Sequence, residues 1–411
     1  MGAHQSTPIE KCLTTAVGGI VDLVAFPSKL LYQSQDVNPY NQDIQVHPVA
    51  VTYPTIVDQV SAIVQCATSK NGYTLQARGG GRSYGNYGLG GGDTTTIVVD
   101  LRNFQAFSMN TNTWEATIGG GTRLETVMRN LLEHGNRAIA HGTCPDVGIG
   151  GNATMGGLGP TSRMWGSAMD HVIEYEVVLA NATVVKASAT QFPDIFWAMK
   201  GAENSFRIVT NFKRFKDWQT LISDPALSRK FASQVVITAI GMIISGTYFG
   251  SQAEFDALNM KSIFPDHFKF EFLHLGSIQS SFYSKNLVFT KEDLIPESTI
   301  DSFFQYLDNA DKGRLIWFAT FDLKGGAIND IAPAATAYGH RDALFYLGMN
   351  DVIYRGFPGR TLGSYAGYVD PELPNPQQRY FGSNIGELER LKSIIDPNDI
   401  IHNPQCIRPA K

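Results

Sequence analysis

At 411 residues the chain is too long for one ordinary hydrophobic core, so two to three domains are expected. A hydrophobic content of 43% and a net charge of −5 indicate a globular protein without a basic surface for nucleic acid. No stretch reaches the about 18–20 apolar residues of a membrane helix. The apolar stretch 13–26 contains Asp22 and no clear basic segment precedes it, so no secretory signal is expected. The chain is predicted to be cytoplasmic, unless a leader has been removed.

Hydrophobic periodicity and turn residues predict an alternation of helices and short strands along the chain. In the first half the predicted elements are helices at 8–18 and 55–70, strands at 74–77, 97–101 and 114–118, a helix at 123–134, a hairpin at 171–186 and a short helix at 192–199. In the second half they are a strand-rich run at 234–248, helices at 252–260 and 297–310, a strand at 343–354 and a helix at 384–395.

Two glycine-rich segments interrupt this pattern. The first, at 78–92, lies between two predicted strands, and the second, at 141–165, also contains Cys144. The glycines and prolines of the second segment argue against a regular helix. Backbone without side chains suits the close approach of a phosphate or a flat ring, although one such loop alone is better explained as flexible surface. Two together favour a cofactor that contains a diphosphate.

Neither segment is a nicotinamide-cofactor or nucleoside-triphosphate motif. No G-x-G-x-x-G opens a helix with an acidic residue about 20 positions later, and no G-x-x-x-x-G-K-[ST] is present.

The two segments, read as RGGGRSYGNYG at 78–88 and HGTCPDVGIGGNATMGGLGPTSRMWG at 141–166, resemble the berberine-bridge-enzyme-like flavoproteins. These belong to the vanillyl-alcohol-oxidase type, and the chain is similar to their fungal oligosaccharide oxidases. Further matches are FPDIFWAMKG at 192–201, SFRIVT at 205–210 and YFGSNIGELERLKSIIDPNDIIHNP at 380–404.

The resemblance implies an α+β protein with a PCMH-type FAD-binding domain of two α+β subdomains and a substrate domain whose antiparallel sheet is covered by helices. We expect the FAD-binding domain at 1–214, the substrate domain at 215–371 and a return to the FAD-binding domain at 372–411. The cofactor is expected to be FAD. The residues that the resemblance assigns to it are Arg78, Gly79, Gly80, Gly81, Arg82, Ser83, Tyr84, Gly85, Gly142, Thr143, Cys144, Val147, Gly148, Gly150, Gly151, Asn152, Gly156, Gly157, Ile208, Val209 and Asn384.

Many members of the family attach the flavin twice, through a histidine in the first segment and a cysteine in the second. Here Cys144 matches the cysteine, but Arg82 stands at the histidine position. Arginine cannot form that bond, so at most one attachment, a thioether from Cys144, is expected. A cationic Arg82 could favour the negative charge of a reduced flavin, or it could point to solvent or to a carboxylate.

Other positions also depart from the family pattern. Arg207 replaces a glycine whose small size lets backbone approach the cofactor, and Asn152 replaces a common histidine, which removes acid–base chemistry near neutral pH. Val147 matches a position at which family members with valine or isoleucine generally react with oxygen. The resemblance therefore implies an oxidase that makes hydrogen peroxide.

Tyrosines near the C-terminal helix are the candidate catalytic residues. In the family, a tyrosine-rich motif there faces the flavin, and Tyr365 and Tyr368 stand in it, with Tyr368 as the first choice of base. Gly367 replaces an asparagine that is often found in the motif. The alternative for both tyrosines is that they pack a domain interface. His340 and His274 are weaker candidates for the base.

The remaining cysteines are interpreted as structural. Secreted relatives often have a disulfide in the region of Cys12 and Cys66, but without a visible export signal we expect two buried thiols. Cys406 is expected to be a bystander. No C-x-x-C spacing is present, so no metal is expected.

Three functions remain open at this point. The first is an FAD oxidase that removes a hydride from an alcohol or related natural-product intermediate, with or without oxidative cyclisation, and is reoxidised by O2. The second is a carbohydrate oxidase that makes a lactone. The third is a flavin-binding cyclase without net redox chemistry. The phenylalanine-rich run 264–272 suits either an apolar or a sugar substrate. The expected partners are a small-molecule substrate and O2, with the chain acting as a monomer or homodimer.

Overall fold

The computed structural model describes residues 6–69, 72–202, 208–209, 222–224, 226–238, 241–257, 285–309, 318–348, 357–358 and 360–410. Three of the positions discussed above, Arg207, His274 and the run 264–272, lie outside these residues.

The described helices are α1 (Pro8–Ala16), α2 (Val57–Ser69), α3 (Leu124–Gly135), α4 (Ile149–Met155), α5 (Ser162–Trp165), α6 (Pro193–Ala198), α7 (Gln252–Ala257), α8 (Glu297–Asn309), α9 (Pro376–Phe381) and α10 (Ile385–Ile395). The described strands are β1 (Val24–Ala25), β2 (Ala50–Thr52), β3 (Thr74–Arg78), β4 (Thr96–Asp100), β5 (Phe107–Met109), β6 (Ala116–Ile118), β7 (Glu174–Val178), β8 (Val184–Ser188), β9 (Ile208–Val209), β10 (Phe231–Thr238), β11 (Gly241–Tyr248), β12 (Asn286–Phe289), β13 (Phe318–Leu323) and β14 (Phe345–Gly348).

The N-terminal part is built on a four-stranded sheet in the order β1-β2-β4-β3. Strand β4 pairs in parallel with both β2 and β3, and all of its residues are buried, as expected for a central parallel strand. The C-terminal tail returns to this sheet, because Leu75 donates a backbone hydrogen bond to Ile400 at 2.8 Å. The first glycine-rich segment therefore starts at the end of β3, the outer strand of this sheet, which is held between β4 and the C-terminal tail.

The expectation of two free thiols at Cys12 and Cys66 is wrong, because the two residues form a disulfide. Helices α1 and α2 pack against each other, and this places the two Cα atoms 5.8 Å apart, within the usual range for a disulfide. Whether two cysteines can pair depends on how close the fold brings them. Here the packing of α1 against α2 brings Cys12 and Cys66 together.

The expectation that the second glycine-rich segment is free of regular helix is also wrong. Helix α4 runs through it, with Gly150 and Gly151 inside. A Cβ atom on Gly150 would lie 2.6 Å from the carbonyl oxygen of Gly120. Close packing against the backbone of Gly120 therefore requires glycine at position 150, and that tertiary contact outweighs the low helix propensity of glycine.

The second part of the molecule is a six-stranded antiparallel sheet in the order β11-β10-β13-β14-β12, with β9 beside β13. One face carries Val235, Phe321 and Leu347, which form an apolar core with Phe303 of helix α8. This is the expected antiparallel sheet covered by a helix. Strand β9 joins it through Ile208, whose Cα partner is Ala319.

The opposite face of this sheet is polar and lies against the N-terminal part. The strand register places Gln234 opposite Asp322, and Asp322 opposite Tyr346, so three polar side chains form a row across β10, β13 and β14. We call this set the polar row. Arg163, from the second glycine-rich segment, donates to the backbone carbonyls of Phe231 and Lys324 and fixes the sheet to that segment. Among the described residues, no helix is both long enough and apolar enough to cross a membrane.

Candidate active site

The two glycine-rich segments cross each other through bare backbone. A Cβ atom on Gly80 would lie 2.2 Å from the backbone nitrogen of Gly148, and one on Gly148 would lie equally close to Gly80. No side chain fits at either position. A third loop, 119–122, packs against both, since a Cβ on Gly79 would lie 3.2 Å from the carbonyl oxygen of Gly120. Sequence reasoning missed this loop, although its Gly-Gly-Gly-Thr run at the end of a strand was a usable signal.

Several buried polar atoms around this crossing have no hydrogen-bond partner. Native proteins rarely leave buried polar atoms unpaired, so such a group marks a place where another molecule belongs. Together with the crossed glycines, these donors and acceptors fit a polar cofactor with a flat ring. Among the described residues, the atoms without a hydrogen-bond partner in this region are Arg82 Nε, Thr122 Oγ1, Asn152 Oδ1, Thr161 Oγ1 and both carboxylate oxygens of Asp146, whose charge is paired with that of Arg82.

Cys144 lies in the second segment with its thiol free and partly buried. Burial raises the pKa of the Cys144 thiol, the carboxylate of Asp146 raises it further, and the guanidinium of Arg82 opposes both. Arg82 forms an ion pair with Asp146, so the carboxylate interpretation of Arg82 is the one found. The sulfur therefore lies beside an ion pair that connects the two segments.

The other predicted cofactor residues of these segments lie around the crossing. Asn152 fits between Gly142 and Gly157, because a Cβ on either glycine would lie within 3.0 Å of its side-chain amide. The hydroxyl oxygen of Ser83 accepts a hydrogen bond from the backbone nitrogen of Tyr87 at 3.1 Å. Val147 packs toward the apolar cluster of helix α3. For the remaining positions of the two segments the role toward FAD stays a prediction: Gly79, Gly81, Tyr84, Gly85, Thr143, Gly151 and Gly156.

Two predicted cofactor residues use their side chains elsewhere. The guanidinium of Arg78 is buried, and it donates to Asp100 at 2.5 Å and to the carbonyls of Asp36 and Val37. The amide of Asn384 donates to backbone carbonyls, including that of Pro333 at 2.9 Å. Both residues stabilise the surrounding chain, and their role toward FAD remains a prediction.

Tyr365 connects the sheet to the second segment. A Cβ on Gly156 would lie 2.4 Å from the Tyr365 hydroxyl oxygen, so the tyrosine lies against the residue that immediately follows helix α4. Its ring stacks on Tyr346 with 5.1 Å between centroids and contacts Tyr368 at the same distance. Tyr365 therefore packs between the sheet and the second segment, and its role as a base stays a prediction.

Tyr368 differs from Tyr365 because its hydroxyl binds a carboxylate, whereas the hydroxyl of Tyr365 is hydrogen-bonded to the backbone of Gly157. It donates to Asp322 Oδ2 at 2.6 Å, and Gln234 donates to the other oxygen of the same carboxylate. The ammonium of Lys324 lies 3.8 Å from Asp322 Oδ2. Burial raises the pKa of Tyr368 well above its usual value, and Asp322 raises it further, so the phenol is neutral at rest.

This cluster lies close to the cysteine-bearing segment. The carboxylate of Asp322 acts electrostatically on Cys144 and raises its pKa, although the two residues are far apart in sequence. Met169, from the N-terminal part, and Tyr346 belong to one buried cluster. The site thus joins the glycine crossing to the polar row. Sequence reasoning missed Asp322, Lys324 and Gln234.

His340 is structural. It is partly buried, its Nε2 lies 3.0 Å from the carbonyl oxygen of Arg379, and burial lowers its pKa.

A separate group near the C-terminus contains Asp399, His402 and Cys406, whose ligand-type atoms lie within 4.8 Å of one another. Arg408 Nη1 contacts all three, at 2.8 Å from Asp399 Oδ2 and 3.4 Å from the sulfur of Cys406. The guanidinium therefore supplies the positive charge in this group.

Comparison with known proteins places this site in a family. Residues 48–188 match the FAD binding domain family, and residues 364–408 match the berberine and berberine-like family. The FAD-linked oxidoreductase sorD of Penicillium rubens is 36% identical over 97% of this chain and 98% of its own length. The xylooligosaccharide oxidase of Thermothelomyces thermophilus is 29% identical over 92% of this chain and 90% of its own.

Solved structures agree with the sequence relatives. The xylooligosaccharide oxidase of Myceliophthora thermophila superimposes with a TM-score of 0.85 at 27% identity, covering 98% of this chain and all of that one. The glucooligosaccharide oxidase of Acremonium strictum, which carries a 6-S-cysteinyl, 8α-N1-histidyl FAD, has a TM-score of 0.83 at 25% identity over 98% of this chain and all of its own. With its PCMH-type fold and FAD binding domain, this chain belongs to the berberine-bridge-enzyme-like FAD-linked oxidoreductases.

Proposed function

We propose that this chain is an FAD-dependent oxidase that takes a hydride from a carbon bearing a hydroxyl group in a small natural product, with O2 as the final electron acceptor. The observation that carries the proposal is the 2.6 Å bond from Tyr368 to Asp322, in a cluster that touches the cysteine-bearing segment. Bound FAD supplies the hydride acceptor. The protein must supply a place for the hydroxyl proton.

Tyr368 and Asp322 form that proton acceptor together. Burial keeps Tyr368 protonated, so the residue does not act as a resting tyrosinate. It accepts the substrate's hydroxyl proton and releases its own to Asp322 Oδ2, along a hydrogen bond that already exists. Gln234 holds the other carboxylate oxygen and keeps the acceptor in place. The substrate loses one proton to this pair and one hydride to the cofactor, which balances the oxidation of an alcohol to a carbonyl.

The surroundings of Tyr368 support an apolar natural-product alcohol over a sugar. Tyr346 and Tyr365 pack against Tyr368 through their rings, so the chain around its hydroxyl is largely aromatic. Gln234 and Lys324 are both directed to Asp322, which leaves Tyr368 to receive a substrate hydroxyl, whereas a sugar presents several. The 36% identity to sorD, an FAD-linked oxidoreductase that is not named for a carbohydrate, exceeds the 29% and 28% identity to two oligosaccharide oxidases, which is compatible with the same choice.

A carbohydrate oxidase is the second candidate, because the oligosaccharide oxidases superimpose over nearly the whole chain. A panel of oligosaccharides and of polyketide and terpenoid alcohols, assayed for peroxide under air, separates the two. Our proposal expects turnover only among the natural-product alcohols. Rapid turnover of an oligosaccharide would replace it with the second candidate, and product formation without peroxide would indicate a cyclase.

We also propose that the flavin is attached once, through Cys144. Formation of this thioether removes the thiol proton and one ring hydrogen together with two electrons, and O2 accepts them as hydrogen peroxide. The free, partly buried thiol beside the glycine crossing supports it, as does the arginine at position 82, which cannot form the second bond.

The attachment is tested by acid precipitation of the Cys144→Ala variant. We expect the yellow colour to stay with the precipitated wild-type chain and to leave the variant completely. Cys406→Ala is the matched control, since Cys406 is the other free cysteine of the chain. Colour that still precipitates with Cys144→Ala would disprove a single sulfur attachment.

For the location of the protein, we propose an oxidising compartment. The disulfide between Cys12 and Cys66 supports this, because such bonds persist mainly outside the reducing cytosol. Alkylation of free thiols in freshly lysed producing cells tests the proposal, with one modified cysteine expected, Cys406, because the proposed thioether removes the thiol of Cys144. Modification of Cys12 and Cys66 as well would restore the cytoplasmic prediction.

A further inference from the structure

The ion pair between Arg82 and Asp146 connects the two glycine-rich segments at their closest approach. Arg82 follows Gly80 by two residues, and Asp146 precedes Gly148 by two, so the charges meet beside the backbone crossing. The side chains are only 19% and 15% exposed. A pair so protected from water is screened far less than a surface pair.

The surroundings hold both partners in place. The guanidinium of Arg82 lies 4.9 Å from the centre of the Tyr40 ring, which in turn contacts Tyr84 of the first segment. On the other side, Arg123 donates to the backbone carbonyl of Asp146 at 2.7 Å. Each segment therefore presents its charge from a fixed position, so little additional ordering is needed to form the pair.

Position 82 is where the family resemblance places the second covalent bond to the flavin. Arginine has no lone pair to form that bond, and here its charge is directed to the opposite segment. The chain thus has a second connection between the segments, but the connection is ionic and joins protein to protein.

We propose that Arg82 and Asp146 form a noncovalent clasp that holds the two segments closed on FAD, in place of a histidyl attachment. The clasp rests on FAD binding, and it does not depend on the substrate or on the proton acceptor proposed above. Both residues are positioning residues. Loss of either partner opens the crossing and leaves the other charge buried without compensation.

The clasp also sets the charge next to the cofactor. Asp146 raises and Arg82 lowers the pKa of Cys144, which shows that both charges act on the sulfur. The two partners therefore act on it in opposite directions. Removing Arg82 exposes a negative charge there and removing Asp146 exposes a positive one, so the two changes must act oppositely on any process that adds electrons.

Two readouts on four variants test the clasp. In the Cys144→Ala holoenzyme, where FAD can dissociate, the dissociation constant is measured by equilibrium dialysis and flavin fluorescence. We expect Arg82→Gln and Asp146→Asn each to weaken FAD binding by about tenfold or more. The double variant should bind FAD no more weakly than either single variant, and the exchange Arg82→Asp with Asp146→Arg should recover part of the loss. Arg137→Gln is the control, because Arg137 also packs on an aromatic ring, that of Trp114, at the surface.

The second readout is the midpoint potential of the flavin in the chain that retains Cys144. We expect Arg82→Gln to lower it and Asp146→Asn to raise it, whereas loosening of the fold alone would move both in one direction. The clasp is overturned if FAD binds Cys144→Ala with and without Arg82→Gln equally well, or if the two potentials shift together. If Cys144→Ala cannot be loaded with FAD, the potentials decide alone. A failed substrate panel leaves both readouts unchanged, so it is distinguishable from failure of the clasp.

Discussion

The two glycine-rich segments and the polar row of the six-stranded sheet contribute to one site by opposite means. At the crossing of Gly80 and Gly148, backbone meets backbone without side chains between them. The charges of Arg82 and Asp146 beside the crossing neutralise each other. In the polar row, Gln234, Asp322 and Tyr346 each project from a separate strand of a rigid sheet. Side chains in such a row can change without moving the backbone, but Gly80 cannot accept even one carbon atom. A fold of this kind can therefore keep its cofactor and change its substrate.

The largest effect that separates the two regions is expected from Tyr368→Phe. Removing the hydroxyl breaks the proton path to Asp322, so anaerobic flavin reduction by the substrate found in the panel should slow by roughly 10²–10⁴-fold. Flavin content and acid-stable colour should stay at the wild-type level, because the ring remains and the glycine crossing is untouched. Stopped-flow absorbance measures the first quantity, and acid precipitation measures the second.

Tyr306→Phe is the matched control for this change, since Tyr306 is 41% exposed on helix α8. It should leave both quantities unchanged. A loss below tenfold in Tyr368→Phe would move the role of base to Tyr365. A loss of flavin would show that the two regions are not separable in the way described.

The same contrast explains which parts of the site were predictable from sequence. The segments around Arg82 and Cys144 stand out because glycine and proline enrichment is a local signal. What the composition could not show is that helix α4 forms there, since the need for glycine at position 150 comes from the carbonyl of Gly120. Glycine enrichment is visible in the sequence, but the tertiary contact that requires a particular glycine is not.

The polar row has no local signature at all. Asp322 is one acidic residue in a strand, and its partner Tyr368 is 46 positions away. Only the register of β10, β13 and β14 brings Gln234 and Tyr346 beside it. Tyr365 and Tyr368 were accessible because of their motif, yet the motif could not tell the packed tyrosine from the one bonded to a carboxylate. Their different roles follow from tertiary contacts.

A smaller effect, on pH dependence, is expected from Lys324. Its ammonium is buried beside Asp322 and 5.3 Å from the centre of the Tyr346 ring, and burial lowers its pKa below the ordinary lysine value. Charged Lys324 stabilises the carboxylate that receives the proton of Tyr368. The rate of flavin reduction should therefore fall as pH rises through this lowered pKa, because the lysine becomes neutral.

Lys324→Met should abolish that alkaline decrease and lower the rate by about tenfold at neutral pH, the size expected for a lost partner of a buried charge. Lys324→Arg should retain the rate and show no decrease in the accessible range, since arginine stays protonated. The pH profile of stopped-flow flavin reduction distinguishes the three chains. An alkaline decrease that persists in Lys324→Met would assign it to another group in the polar row.

The smallest effect on the chemistry is expected from the disulfide. Cys12 and Cys66 join α1 to α2 across 54 residues, in an apolar cluster that contains none of the site residues described above. The chain-entropy relation gives about 4 kcal/mol for a loop of this length, and measured losses are about 2–4 kcal/mol. The double variant Cys12→Ser with Cys66→Ser should therefore unfold at lower denaturant concentration, with flavin attachment and the rate of flavin reduction within twofold of wild type.

Wild-type chain treated with a reductant should match the variant in stability. Equal stability with and without the bond would mean that helix packing alone closes the loop, whereas a loss of flavin would connect this distant layer to the glycine crossing through β3, the strand that leads from α2 into the first segment.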